Sequence, residues 1–119
     1  MDQPVLDPAV ISGLRMLTPP GEPDVLAEVL QLFLNEVPPR IDRLRNAWTS
    51  GNIEEMHRAA HSLKGSAGNI GAKRLYDVCS RLDALGKAGD LATVATLVDA
   101  LGEEFVKVES AIKRLIETG

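Results

Sequence analysis

Aromatic residues and cysteine are scarce in this chain of 119 residues. Aromatic side chains make up only 3% of the sequence, so a hydrophobic core has to be built from Leu, Val, Ile and Ala, as is typical of helical bundles. Cys79 is the single cysteine, which excludes an internal disulfide and is compatible with a reducing compartment. Because Cys79 shares an apolar helical face with Leu75 and Leu82, we expect a buried, unreactive thiol.

The chain also lacks long apolar runs, basic clusters and nucleotide-binding motifs. No stretch approaches the roughly 18 apolar residues of a membrane span, and the start has no basic region followed by an apolar run, so we expect a cytoplasmic protein with no membrane partner. The formal net charge of −4, without a basic footprint, argues against nucleic acid as a partner. Without a phosphate-binding glycine loop or a βαβ pattern, the chain has no visible ATP site, and we expect a carrier rather than an enzyme.

Apolar residues recur at spacings of three and four along the chain, with no convincing strand and no internal repeat. This periodicity predicts one all-α domain over residues 1–119, an antiparallel up-and-down four-helix bundle with an additional short N-terminal helix. The predicted helices cover residues 7–17, 23–48, 53–69, 72–85 and 91–116. In the second helix Pro38 and Pro39 predict a kink or short break, although the apolar face keeps its phase on both sides.

Polar residues mark the ends of the later helices. Asn52 and Glu55 form a capping-box pattern, which predicts that the third helix begins there. Gly71 suits the turn after this helix, and Asp90 is the expected cap of the last one.

The most informative segment reads H-S-L-K-G-S-A-G. At about 100° of rotation per residue, one polar stripe of the third helix, within roughly 60°, carries His57, His61, Lys64, Gly65 and Gly68. A histidine on such a polar face suggests phosphate chemistry. Lys64 lies one turn after His61 and can reach an anion held on the imidazole, and the alternative is an ordinary solvated lysine.

Two glycines on this stripe stand where helices usually carry solubilising side chains, although each costs roughly 0.5 to 1 kcal/mol relative to alanine. Either a partner must approach His61 closely, or another helix packs against Gly65 and Gly68, or the helix frays near its end; these explanations stay open. His57 and His61 have the spacing of a helical metal pair. With no intervening glutamate and no evident third ligand, we expect no metal and a solvent-facing His57.

The segment from His57 to Ala72, H-R-A-A-H-S-L-K-G-S-A-G-N-I-G-A, resembles the signature of histidine-containing phosphotransfer (HPt) domains. It combines an alanine before the histidine, an H-x-x-K-G core, small residues after it and a Gly-Ala pair where the helix ends. The similarity continues without a gap to Lys87.

The resemblance implies a helical bundle in which His61 accepts a phosphoryl group from a receiver-domain aspartate and passes it to another receiver of a two-component phosphorelay. Lys64 matches the phosphoryl-stabilising lysine of the family, and Lys87 falls where a second basic residue is frequent. Asp83 falls where Gln or Glu is frequent, but it is shorter and negatively charged, so we do not count it among the site residues. The residues expected to face a docked partner are Gly65, Gly68 and His57.

The implied partners are response-regulator receiver domains and a hybrid histidine kinase. We expect a monomer. We also expect no cofactor on this chain, because the receiver supplies the Mg²⁺ ion for the reaction. Two other functions fit the same residues. One is the phosphoacceptor domain of a chemotaxis-type kinase, phosphorylated directly by an ATP-binding domain, and the other is a module that docks a receiver without phosphoryl transfer.

Overall fold

The computed structural model describes residues 4–85 and 91–118, and these ranges contain five α-helices. They are α1 (Pro8–Arg15), α2 (Val25–Ser50), α3 (Ile53–Asn69), α4 (Lys73–Leu85) and α5 (Leu91–Thr118). α3 packs against both α2 and α4, while α5 packs against α4 and closes onto α2. Helices α2 to α5 therefore form the predicted four-helix bundle, and α1 is the additional N-terminal helix that lies against α2.

The apolar faces predicted from the sequence point into the bundle. The buried positions of α2 and α3 include Leu26, Leu30, Phe33, Val37, Ile41, Leu44, Met56, Ala60, Leu63 and Ala67. Trp48 is only partly buried against this core. Cys79 is fully buried, as predicted, and burial raises the pKa of its thiol to about 12. The core therefore rests on aliphatic side chains and leaves the thiol protonated at neutral pH.

α2 passes through Pro38 and Pro39 without interruption. The short break allowed by the sequence therefore does not occur. Each proline removes one main-chain donor, but Val37 and Ile41 on either side are both buried in the core. The burial of this continuous apolar face offsets the lost hydrogen bonds and keeps the helix in one piece.

The turn between α2 and α3 fixes the start of the histidine-bearing helix. Gly51 adopts the left-handed conformation, with φ of 76°, and the N–H of Asn52 donates to the Ala47 carbonyl at 2.8 Å. The side chain of Asn52 accepts from the N–H of Glu55 at 3.1 Å, which confirms the predicted cap. Because the Asn52 N–H is already used by Ala47, only this half of the predicted capping box forms.

The turn after α3 is fixed by α1. Gly71 has a φ of 74°, and its carbonyl accepts from the N–H of Asp7 at 2.9 Å. The Asp7 carboxylate caps α1 and lies 3.0 Å from the Lys73 ammonium; the hydrogen bonds from Lys73 and from the Ala9 N–H lower the pKa of Asp7. Both ends of α3 are therefore held by specific contacts. Asp90, the expected cap of α5, lies outside the described residues.

Candidate functional site

His61 lies near the middle of α3 on its outer face. Its neighbours Ala60 and Leu63 are fully buried, so the rotation of the helix turns His61 away from the core. The side chain is 69% exposed. The imidazole is therefore accessible to a partner, as the sequence pattern predicts.

Asp83, on α4, lies between three side chains of the polar stripe of α3. Its Oδ2 atom is 3.4 Å from Nδ1 of His61 and 3.3 Å from Nζ of Lys64. Its Oδ1 atom is 3.0 Å from Nδ1 of His57. The Asp83 side chain is only 15% exposed, so it lies beneath the exposed imidazole of His61. This residue is absent from the site residues predicted above, although the structure places it at their centre.

The charge of Asp83 is set by its neighbours. Burial raises the pKa of this carboxyl, but the hydrogen bonds from His61 and Lys64, together with the nearby charges of His57 and Lys64, lower it to a net value below the ordinary one. Asp83 is thus an ionised carboxylate at neutral pH. Because a carboxylate only accepts hydrogen bonds, Nδ1 of His61 carries the ring proton that faces it, and the lone pair of neutral His61 resides on Nε2.

Lys64 and His57 both turn towards Asp83. The Lys64 side chain is 28% exposed and its ammonium is paired with the carboxylate, so the alternative of an ordinary solvated lysine does not hold. His57 is 34% exposed, and its Nδ1 donates to the main-chain carbonyl of Asp83 at 3.1 Å. The expectation of a solvent-facing His57 is therefore wrong, because the chain segment at the end of α4 covers one edge of its ring.

The two glycines of the stripe differ in their surroundings. A Cβ atom added at Gly65 would meet no heavy atom within 4 Å, whereas one at Gly68 would lie 3.5 Å from the Tyr76 ring, an ordinary contact. Neither glycine is therefore required by a helix packed tightly against it. Fraying does not account for Gly65 either, since α3 continues to Asn69. The surface beside His61 is therefore open at Gly65, and the approach of a partner there stays a prediction.

Lys87, the second predicted basic residue, lies outside the described residues. Within residues 4–85 and 91–118, no group of three or more His, Cys, Asp or Glu side chains is arranged to hold a metal ion. Over the same ranges, none of the helices combines the length and the apolar character that crossing a membrane requires.

Comparison with known families identifies the arrangement. Residues 28–117 match the family model described as the Hpt domain. The chain belongs to this Hpt family. The matched range includes all of α3, α4 and the histidine site between them. The resemblance seen in the H-x-x-K-G segment is thereby confirmed over most of the chain.

Named relatives and solved structures agree with this membership. Histidine-containing phosphotransfer proteins 2 and 5 of Arabidopsis thaliana are 35% and 32% identical over 69 and 71 residues, which cover 56% and 57% of this chain and 44% and 45% of theirs. The chain thus spans about half the length of the curated relatives it matches. The crystal structure of histidine-containing phosphotransfer protein B from Pseudomonas aeruginosa PAO1 superposes with a TM-score of 0.89 at 25% identity, covering 99% of both chains.

A second solved structure shares the fold at lower identity. The phosphotransfer protein MtHPt2 from Medicago truncatula gives a TM-score of 0.84 at 24% identity, covering 95% of this chain and 78% of that one. The fold is therefore shared with solved structures from Pseudomonas aeruginosa and Medicago truncatula.

The position of Asp83 had a partial signal in the sequence. Asp83 shares the polar face of α4 with Tyr76 and Ser80, so its side chain had to lie near another polar face or in solvent. Its negative charge argued against a place beside a phosphorylated histidine. The cationic and hydrogen-bonding neighbours that offset this charge are on another helix, and sequence periodicity does not align two helices in register.

Proposed function

We propose that this protein is the histidine phosphotransfer module of a two-component phosphorelay. His61 accepts a phosphoryl group from the aspartate of one receiver domain and passes it to the aspartate of another. The observation that supports this proposal is the exposed imidazole of His61 whose Nδ1 faces the ionised Asp83, since this arrangement leaves Nε2 as the nucleophilic atom.

The transfer step follows from this geometry. The lone pair of Nε2 attacks the phosphorus of the aspartyl phosphate, the bond between phosphorus and the aspartyl oxygen breaks, and the receiver's carboxylate leaves. Nδ1 keeps its proton throughout, so the imidazole ring becomes positively charged when Nε2 is phosphorylated. Asp83, 3.4 Å from Nδ1, stabilises that charge as a carboxylate stabilises an imidazolium in hydrolase triads. Passage to the second receiver is the same step in reverse.

Lys64 is positioned to offset the charge of the phosphoryl group. Its ammonium is 3.3 Å from the same Asp83 oxygen that faces His61, and its flexible stem allows the ammonium to move to the phosphoryl oxygens. Gly65 leaves the adjacent surface open for a receiver, and Gly68 and His57 flank it. Lys87 is proposed as a second basic contact to the phosphoryl group.

We propose that the chain is a carrier that obtains its phosphoryl group from receiver domains, including that of a hybrid histidine kinase. The receiver provides the Mg²⁺ ion, and the chain needs no cofactor of its own. We further propose that it acts as a cytoplasmic monomer. The shallow, exposed position of His61 fits this role, because a carrier must present its nucleophile to more than one partner.

A panel of phosphorylated receiver domains from the same organism tests the proposal. We expect at least one to label the chain with acid-labile phosphate, with no label on His61→Gln and with the label still present on His57→Gln. Circular dichroism should show that both variants keep their helical content. The opposite pattern of labelling would refute the site assignment.

The same panel distinguishes the alternatives. Labelling by an ATP-binding kinase domain, but by no receiver, would indicate a chemotaxis-type phosphoacceptor domain. A receiver that binds the chain while no phosphate appears on His61 would indicate a docking module without transfer.

A further inference from the structure

We propose that His57 is a positioning residue for phosphotransfer, which holds the Asp83 carboxylate so that its Oδ2 atom faces Nδ1 of His61. This inference rests on the proposed function of His61. The H-x-x-K-G core that marks the family begins at His61, so His57 lies outside it.

His57 contacts both the main chain and the side chain of Asp83. Nδ1 of His57 donates to the main-chain carbonyl of Asp83 at 3.1 Å and lies 3.0 Å from its Oδ1. A carbonyl only accepts, so this ring nitrogen carries a proton. One N–H group of α3 is therefore hydrogen-bonded to the main chain in the last turn of α4 and lies directly beside the carboxylate that this turn carries.

Asp83 needs this support because its two oxygens have unequal surroundings. Oδ2 faces Nδ1 of His61 and Nζ of Lys64. Oδ1 is buried and, within the described residues, accepts no hydrogen bond, and Nδ1 of the His57 ring lies 3.0 Å from it. The torsion that rotates an aspartate carboxylate is soft, and a buried carboxylate oxygen without a polar neighbour is unfavourable. Without His57, the carboxylate would turn away from the orientation that aligns Oδ2 with His61.

The consequence for the reaction lies in the protonation of His61. A correctly oriented carboxylate holds the proton of neutral His61 on Nδ1 and leaves the lone pair on Nε2. If the carboxylate turns away, Nδ1 loses its acceptor and the proton is shared between the two ring nitrogens. A smaller fraction of His61 then has its exposed Nε2 ready to attack phosphorus.

Two substitutions distinguish the effect of the hydrogen-bond donor of His57 from the effect of the size of its side chain. In His57→Asn, the side-chain amide nitrogen is the same number of bonds from Cβ as Nδ1, so the donor is retained. In His57→Leu, an apolar side chain of comparable size removes it. Loss of one hydrogen bond of ordinary strength predicts that phosphotransfer from a receiver slows roughly 2- to 10-fold in His57→Leu. His57→Asn should transfer at a rate close to that of the unmodified chain.

The second readout does not depend on phosphorylation. Nitrogen-15 NMR at about pH 8.5, above the ordinary titration range of histidine, reports which ring nitrogen of His61 carries the proton. We expect the Nδ1–H form in the unmodified chain and in His57→Asn, and a shift towards the Nε2–H form in His57→Leu. Should His57→Leu fail to fold, His57→Gln replaces it, since its donor is one atom further from Cβ.

These experiments distinguish failure of the positioning role of His57 from failure of the proposed phosphotransfer function. An unchanged His61 tautomer in folded His57→Leu, an unchanged transfer rate, or equal losses in His57→Leu and His57→Asn would overturn the positioning role. Absence of any label on the unmodified chain would overturn the proposed function instead, and the tautomer measurement would then decide alone whether His57 acts through Asp83.

Discussion

Gly65 offers a direct test of whether the surface beside His61 is a docking site. A side chain at this position should raise the stability of the fold but hinder the docking of a receiver. No heavy atom lies within 4 Å of a Cβ built at this position. Substitution by Gln or Ala therefore creates no clash at Cβ within the described chain, and it removes a poor helix former from the interior of α3. We expect the free energy of unfolding to rise by about 0.5 to 1 kcal/mol, which corresponds to roughly 2 to 4 °C in melting temperature for a domain of this size.

Docking of a receiver domain should be weaker in Gly65→Gln. Protein interfaces are packed as densely as protein interiors, and forcing extra atoms into such packing typically costs about 1 to 3 kcal/mol. Transfer from a receiver to Gly65→Gln should therefore slow by roughly 5- to 150-fold. Gly65→Ala adds a single methyl group and should slow transfer less.

Gly13 provides the matched control. It also lies in a helix, α1, is exposed, and has no heavy atom within 4 Å of a built Cβ. Gly13→Gln should raise the melting temperature and leave transfer unchanged. Thermal unfolding by circular dichroism and the time course of transfer from one receiver measure both properties. A folded Gly65→Gln that transfers as fast as the unmodified chain would refute the docking role of this surface.

Three further predictions concern neighbouring residues. Lys64→Ala should shorten the phosphohistidine lifetime or slow transfer more than Lys87→Ala does, because Lys64 lies one helical turn from His61 and its ammonium is 3.3 Å from the carboxylate oxygen that faces His61. A charge-assisted contact of this kind is worth roughly 1.5 to 3 kcal/mol, and kinetics identical to those of the unmodified chain would remove Lys64 from the site. Gly71→Ala should lower the free energy of unfolding, measured in urea, by at least about 2 kcal/mol. The reasons are the φ of 74° at this residue and the new Cβ atom, which would lie 2.8 Å from a side chain of α1. An unchanged urea midpoint would contradict this prediction. The pKa of Asp83 is lowered from its ordinary value of 3.8. The ionised carboxylate therefore stabilises the fold fully above pH 3.8, and this contribution is lost as the pH falls through the lowered pKa. Asp83→Asn should therefore lose less stability than the unmodified chain on acidification below about pH 4, and parallel pH profiles would disprove it.

The helices were predictable because burial in a bundle follows a simple period. The spacings of three and four in α2, α3 and α5 identify their buried faces, and the same rotation places His61 on the outside. Local chemistry also located the start of α3 at Asn52 and the turn at Gly71. These features depend on a single helix or turn, so the sequence contains what is needed to predict them.

The features that were not predicted depend on contacts between helices. The phase of the apolar face predicted that α2 keeps its direction through Pro38 and Pro39, but the absence of a break there follows from packing on both sides of the pair, which local rules do not include. The grouping of His57, His61 and Asp83 requires the register of α3 against α4. Periodicity gives the polar faces of the two helices but not which residues stand opposite each other, so the anchoring of Asp83 was visible only in the structure.

The proposed function requires that phosphoryl groups pass between receivers through His61. The most direct measurement follows labelled phosphate from one phosphorylated receiver to a second receiver, with and without this chain, and locates the label on the chain by mass spectrometry under alkaline conditions. We expect the second receiver to be labelled only when the chain is present, the chain to carry the label on His61, and His61→Gln to abolish both signals. Labelling of the second receiver at the same rate without the chain, or a label on any other residue, would contradict it.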